Sequence, residues 1–247
     1  MPRADQLLVD SGLAVSRTAA QRLIAAGRVS WSGGIVGKQS QELAATTQLS
    51  VTPDPDDRYV SRGGLKLAGA LNETGIAVAG KTCLDVGQST GGFTDRLLQS
   101  GARHVVGVDV GHDQLHPRLL ADQRVTSFEG INCRALSADD LGEAFPPGGF
   151  DLIVGDLSFI SLTLILPQLP ALLADQGDLL MLVKPQFEVG FGNVARGGIV
   201  RDSTLFAEVE SKLRNCAQSL GLTVRAWLDS PITGGDGNRE FFIWLNK

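Results

Sequence analysis

Thr82-Cys83-Leu84-Asp85-Val86-Gly87-Gln88-Ser89-Thr90-Gly91-Gly92-Phe93-Thr94-Asp95 is the stretch that decides how this chain folds. A short apolar run closes on Asp85, glycines follow at once, and a helix-compatible sequence begins at Phe93. A strand that ends in a glycine-rich turn and re-enters a helix is where a parallel α/β sheet receives a nucleotide-like ligand. Gly87, Gly91 and Gly92 are spaced G-x-x-x-G-G. That is neither the G-x-G-x-x-G of dinucleotide sites nor the lysine-bearing phosphate loop, so a pyrophosphate cradle is disfavoured. A carboxylate at Asp85 suits a ligand with an amine or hydroxyls and repels a phosphate. On the motif alone, a turn that merely joins strand to helix is an equally good reading.

Outward from this stretch, strand and helix signals alternate. Apolar runs predict strands at 82–86, 104–109, 124–127, 150–155, 177–183, 222–229 and 239–246. Helical patterns fall at 93–100, 113–121, 137–144, 160–173 and 202–220. The class is therefore α/β, a doubly wound Rossmann-like seven-stranded sheet covered on both faces. The last two strands have no helix between them, which predicts an antiparallel edge. Ligand-facing residues in such a sheet collect at strand carboxyl ends. Asp85 and Gly87 fall there, as do Asp109 after Val108, Asp156 after Gly155 and Lys184 after Val183. Asp109 lies about twenty residues past the turn, where a carboxylate can pair with ribose hydroxyls. A helix cap without a ligand is its other reading. A lysine that ends a wholly apolar strand needs a partner, and Asp156 is the obvious one. A purely structural buried pair is the alternative. Glu240 opens the last apolar strand, where strand capping is the alternative to a site role.

Composition narrows the function classes. The chain has 247 residues with 43% hydrophobic content, enough for one full core and a small second domain. No run approaches the roughly 20 apolar residues of a membrane span. The longest candidate, 162–173, is broken by Pro167 and Pro170. The first residues lack a basic region followed by an apolar stretch, so no secretory signal is expected and the cytoplasm is the expected location. Cys83, Cys133 and Cys216 are odd in number and lack C-x-x-C spacing, so neither a disulfide framework nor a metal site is expected. They read as small buried residues. A net charge of −5 argues against whole-molecule attraction to nucleic acid, so any RNA surface must be local.

That surface is expected at the N-terminus. Residues 4–11 and 17–26 read as short helices, Ser16 stands where an N-cap belongs, and 29–31, 35–36 and 48–51 read as small strands. In this stretch Arg3, Arg17, Arg22, Arg28 and Lys38 outnumber Asp5, Asp10 and Glu42. Arg17 and Arg22 lie off the apolar face of Ala20, Leu23 and Ile24, a candidate phosphate-contacting surface. A solvated helix face is the alternative. The reading is thus a small N-terminal α+β RNA-binding domain at 1–52, a proline- and acid-rich linker at 53–60 and the large domain at 61–247. In the helical pattern 65–71, Lys66 lies off the main apolar stripe and is expected to face solvent.

Two resemblances sharpen the picture. Asp5-Gln6-Leu7-Leu8, Gly12-Leu13, Ser16-Arg17, Leu23-Ile24 and Gly27-Arg28-Val29 resemble the alpha-L RNA-binding domain first known from a small-subunit ribosomal protein. Ser61-Arg62-Gly63-Gly64-Leu65-Lys66-Leu67, Asp85-Val86-Gly87 with Ser89-Thr90-Gly91-Gly92-Phe93-Thr94, Val108-Asp109-Val110-Gly111, Asp156 to Ser161, Lys184 to Glu188 and Gly237 to Glu240 resemble the TlyA family, in order and across essentially the whole chain. That family joins an alpha-L domain to an FtsJ-like methyltransferase domain and has also been called hemolysin. The resemblance implies S-adenosylmethionine-dependent methylation of a ribose 2'-hydroxyl, of cytidine, in ribosomal RNA. The partners it implies are ribosomal RNA or ribosomal subunits, with no membrane and no obligate protein partner. It places the FtsJ-like catalytic tetrad on Lys66, Asp156, Lys184 and Glu240. It places cofactor contacts on Asp85, Gly87, Gln88, Ser89, Thr90, Gly91, Gly92 and Phe93, and on Asp109 and Val110, and it strengthens the RNA-binding reading of Arg3, Arg17, Arg22, Arg28 and Lys38. Two departures stand out. Gln88 replaces a small residue, usually alanine, which implies altered packing at the methionine end or weaker cofactor affinity. His112-Asp113 replaces an aromatic-glycine pair.

A ribose hydroxyl is a poor nucleophile and a sulfonium methyl is already activated, so positioning and removal of one proton suffice. Lys184 is expected to accept that proton. Asp156 would orient it, Lys66 would disfavour its charged form by like-charge proximity, and Glu240 would position Lys66 or the substrate. Phe159 and Phe187 are candidates to stack on a flipped-out base, with core packing as the alternative. The glycine-rich 187–198 is expected to be a mobile lid. A non-catalytic RNA- or ribosome-binding protein would share the N-terminal domain but should have lost a tetrad member. A nicotinamide oxidoreductase lacks its fingerprint here, and a pore-forming hemolysin lacks a membrane-inserting segment.

Overall fold

The computed structural model describes residues 1–14, 16–53, 58–195 and 197–247. Contacts divide the chain into two compact units, Met1–Arg58 and Tyr59–Lys247. Of the stretch read as linker, 54–57 lie outside the described residues, and Tyr59 and Val60 belong to the second unit. Tyr59 is buried there because Gly64 has no side chain where the tyrosine ring sits.

The first unit packs α1 (Ala4–Asp10) and α2 (Arg17–Ala25) on a small antiparallel sheet of β1 (Val29–Trp31), β2 (Gly34–Ile35) and β3 (Ser50–Val51), ordered β2-β1-β3. Ser16 caps α2 by accepting from the Ala19 amide. Leu7, Leu8, Ala20, Ile24, Val29 and Val36 form its core.

The second unit contains α3 (Gly63–Thr74), β4 (Thr82–Val86), α4 (Gly92–Gln99), β5 (His104–Val108), α5 (Pro117–Leu120), β6 (Val125–Phe128), α6 (Ala138–Leu141), β7 (Phe150–Gly155), α7 (Leu169–Leu172), β8 (Leu173–Val183), α8 (Thr204–Ser219), β9 (Thr223–Asp229) and β10 (Phe241–Asn246). Its seven strands are ordered β6-β5-β4-β7-β8-β10-β9. The strands from β4 to β8 run parallel, and β10 is antiparallel to both its neighbours, as the missing helix before it foretold. β4 is buried along its whole length, which is why its apolar run shows no alternation. Leu84, Val86, Val106 and Ile153 face a core that includes Leu213 of α8, while Cys83, Val105 and Leu152 face one that includes Leu67 of α3 and Leu97 of α4.

Three predicted helices are shorter than expected. Helix 160–173 is two 3-10 turns, Leu162–Leu164 and Leu166–Gln168, followed by the single turn of α7. Pro167 and Pro170 lack the amides a continuous helix needs. Helix 113–121 begins only at Pro117, where the His116 side chain caps it, and 137–144 breaks after Leu141 because Gly142 adopts φ 50°. β8 is longer than predicted, starting at Leu173, with a register shift against β7. Cys83 and Cys133 are buried, whereas Cys216 is only half-buried. Among the described residues no helix is long and apolar enough to cross a membrane.

Candidate active site

The carboxyl ends of β4, β5 and β7 open onto a cavity of about 550 Å³. The turn after β4 forms one wall. Gly87 has φ 83°, and a side chain there would press on the Asp156 carbonyl at 3.0 Å, so only glycine lets the turn lie this close to the end of β7. The Gly87 and Gln88 amides donate to the Val108 carbonyl, and the Ser89 amide donates to Asp109 Oδ2 at 2.8 Å. Asp109 Oδ1 accepts from the Gly111 amide at 2.7 Å, so this carboxylate pins the turn to the end of β5 rather than capping a helix.

Gly87, Gln88, Ser89, Thr90, Gly92, Phe93, Asp109 and Val110 all line the cavity. Asp85 and Gly91, read as ligand contacts, do not. Asp85, the penultimate residue of β4, is fully buried beneath the turn, with Thr94 Oγ1 donating to its Oδ2 at 2.7 Å and no partner for Oδ1 among the described residues. Gly91, at φ 90°, supplies the backbone turn into α4, and its side-chain position faces Leu119 and Leu115. Burial pushes the Asp85 carboxyl up to about 7 against the pull of the Thr94 hydroxyl. Its unfolded value is about 3.9. Between those limits the folded chain keeps a proton that the unfolded chain has released, so this group's contribution to stability falls as pH rises from about 4 to about 7. Asp85→Asn keeps an acceptor for Thr94 and cannot ionise. Urea denaturation at about pH 5 and about pH 8 should show a shallower fall for the variant than for the wild type. Parallel behaviour of the two proteins would refute this.

The tetrad residues come together as two ion pairs. Lys184 Nζ lies 2.6 Å from Asp156 Oδ1 and donates to Ser158 Oγ at 2.7 Å, and this pair lines the cavity. Lys66 Nζ lies 2.6 Å from Glu240 Oε2, with side chains 10% and 2% exposed. The expectation that Lys66 faces solvent is wrong: α3 is buried on most of its circumference, from Gly64 to Ala68, and Lys66 is buried with it. Burial pushes the Glu240 carboxyl up, Lys66 draws it down, and the charges of Asp156 and Lys184 also reach it. The two pairs therefore share one electrostatic neighbourhood, but Lys66 and Glu240 stand outside the cavity wall. Gly234 leaves room for the Glu240 carboxyl, 2.8 Å from where its own side chain would begin.

Other residues of the site were not singled out from the sequence. Ser61, Gln114, Asn132 and Ser158 line the cavity. Ser61 and Ser158 lay inside recognisable blocks, but Gln114 and Asn132 carried no signal. Phe159 is 90% exposed at the mouth, with φ 63°, and its ring meets Phe187 at 5.2 Å. It is no core residue. Glu188 is a further omission: it accepts from Ser161 Oγ, the Leu162 amide and Lys212 Nζ, tying the segment after β7 to the segment after β8. In the region read as a lid, 3-10 turns span Pro185–Phe187 and Phe191–Asn193, and Arg196 lies outside the described residues.

In the first unit, Asp5 is fully buried and gathers Arg3, Arg17 and Gln21. The Arg3 guanidinium is the main reason its carboxyl is held far below the usual range. Arg28 donates to the Thr52 carbonyl. Arg22 and Lys38 are exposed, with no partner among the described residues.

This strand order, with the glycine turn and a lysine–aspartate pair lining one cavity, defines an FtsJ-like methyltransferase, and the family model of that description matches residues 59–247. An S4 domain model matches residues 2–48. Similarity to individual proteins is equally extensive. The 16S/23S rRNA (cytidine-2'-O)-methyltransferase TlyA of Mycobacterium tuberculosis is 46% identical over 243 residues, covering 98% of this chain and 89% of that protein. Hemolysin A of Brachyspira hyodysenteriae is 38% identical over 244 residues, covering 97% of each. A solved hemolysin-named protein from Streptococcus thermophilus superposes with a TM-score of 0.78 at 41% identity, over 100% of this chain and 88% of that one. The chain belongs to the TlyA family.

Proposed function

We propose that the chain uses S-adenosylmethionine to methylate a ribose 2'-hydroxyl of cytidine in ribosomal RNA. The observation that carries this reading is Lys184, held between Asp156 and Ser158 on the wall of a cavity that the glycine turn also lines. The cavity suits the cofactor. Its volume lies within the range for such ligands, and Asp109 stands at the turn with an exposed apolar Val110 beside it. Gly87 to Thr90 and Asp109 would hold it. When bound, it supplies a methyl group already activated on a sulfonium.

The protein's task is then to place a hydroxyl and remove its proton. Neutral Lys184 accepts the proton at Nζ as the oxygen takes the methyl, and Asp156 and Ser158 fix the direction of its lone pair. Lys66 and Glu240 act as a buried positioning pair behind the wall rather than as groups in contact with the reacting atoms. Phe159, exposed at the mouth, offers an aromatic face to an unstacked base. Arg22 and Lys38 are the first unit's available phosphate contacts, while Arg3, Arg17 and Arg28 also serve its internal structure. The cytoplasm, where ribosomes are, is the compartment this reading requires.

Incubation of unmodified ribosomal subunits with labelled S-adenosylmethionine, followed by mass-spectrometric mapping, should find label on the 2'-oxygen of a cytidine. Absence of label from both subunits, with cofactor binding demonstrated, would sink this reading in favour of a binding-only protein.

A further inference from the structure

The departure at Gln88 has a structural counterpart on the neighbouring strand. Asp85 of β4, Gly107 of β5 and Ser127 of β6 are register partners, so they form one row across three parallel strands. Side chains of such a row point to the same face. Gly107 leaves the middle of the row empty, and the Gln88 amide fills that space: a side chain on Gly107 would meet its amide atoms at 2.0–2.3 Å. Ser127 Oγ donates to Gln88 Oε1 at 2.6 Å, Gln88 Nε2 donates to Thr94 Oγ1 at 2.9 Å, and Thr94 donates on to Asp85 at 2.7 Å. Gln88 is only 4% exposed although its residue lines the cavity.

We infer that Gln88 is a positioning residue, a buried strut that holds the turn Gly87–Thr90 in its binding shape by joining β6 to α4, and that Gly107 is the socket that admits it. The turn's other ties all run to β5 or the segment just after it: backbone bonds to Val108, the Asp109 latch, Ser89 Oγ donating to Gln114 Oε1 at 3.1 Å and the His116 amide donating to the Thr90 carbonyl. The strut ties it to β6, to α4 and through Thr94 to β4. An alanine at 88 could make none of these bonds, and with an alanine at 107 it would need no socket. The two positions should therefore be coupled, which an independent role for either would not produce.

The inference rests on the cofactor reading, and three variants of the full chain test it: Gln88→Met, Gly107→Ala and the double Gln88→Ala/Gly107→Ala. Calorimetric titration with S-adenosylhomocysteine should show affinity about ten-fold weaker for Gln88→Met, which keeps volume but loses the hydrogen bonds. Gly107→Ala, which drives the amide out of its socket, should be weaker still. The double variant should bind better than Gly107→Ala alone, because the added methyl then occupies vacated space. Amide hydrogen exchange on the ligand-free proteins should be faster at residues 87–90 in Gln88→Met than in wild type. A double variant no better than Gly107→Ala, or single variants that melt earlier yet bind like wild type, would overturn the strut. If Gly107→Ala does not fold, Gln88→Met decides alone, with unchanged affinity counting against the inference. If wild type itself binds no cofactor, the cofactor reading fails, and unchanged exchange in Gln88→Met would separately overturn the strut.

Discussion

Lys184→Met is expected to lower methyl transfer by roughly 10²–10⁴-fold while cofactor affinity stays within a few-fold of wild type. Methionine matches the length and apolar stem of lysine, so the strand end keeps its packing and only the amine is lost. Single-turnover transfer into ribosomal RNA, measured alongside calorimetric binding, separates the two quantities. Full transfer by a variant that still binds cofactor would show that the base lies elsewhere. A loss of binding as large as the loss of rate would instead make Lys184 a cofactor contact.

The second large effect is on stability. Glu240→Ala leaves the Lys66 ammonium in a site where its side chain is 10% exposed, with no carboxylate opposite. Breaking a buried pair from one side typically costs about 3–5 kcal/mol, because the remaining charge stays desolvated. Replacing both partners, as in Lys66→Met/Glu240→Leu, should recover most of that loss, since two apolar side chains have no charge to desolvate. Urea denaturation of the three proteins reads the difference directly. A single variant as stable as wild type would mean that water already reaches the pair. The recovered double variant is also informative for activity: if its transfer rate falls while its stability does not, the pair positions the site rather than holding up the fold.

The sheet was legible because its central strands are apolar runs bounded by turns, and that is a property of composition over a few residues. The residues at strand ends, Asp109, Asp156 and Lys184, were legible for the same reason: topology alone sends them to one edge. Lys66 was not, because its burial depends on what α3 packs against, and one amphipathic stripe cannot report that. Asp85 was placed at the right strand end and read as a ligand contact, yet it does not line the cavity; whether a side chain there points into the cleft or beneath the turn depends on the pleat and on α4 above it. The helix expected at 160–173 failed on Pro167 and Pro170, whose effect was visible in the sequence but was outweighed by the apolar run around them. Glu188 and Gln88 were invisible as structural ties, since their partners Lys212 and Ser127 lie far along the chain.

The pairing of lysines with carboxylates has a consequence for how RNA reaches the site. Lys184 with Asp156, and Lys66 with Glu240, are each close to electrically neutral as a unit, so together they project little field beyond the cavity mouth. A polyanion approaching through salt solution would feel them only within a Debye length of about 8 Å. Capture of the substrate and reaction upon it are thus separable tasks in this molecule, with ionic strength acting on the first and leaving the second almost untouched.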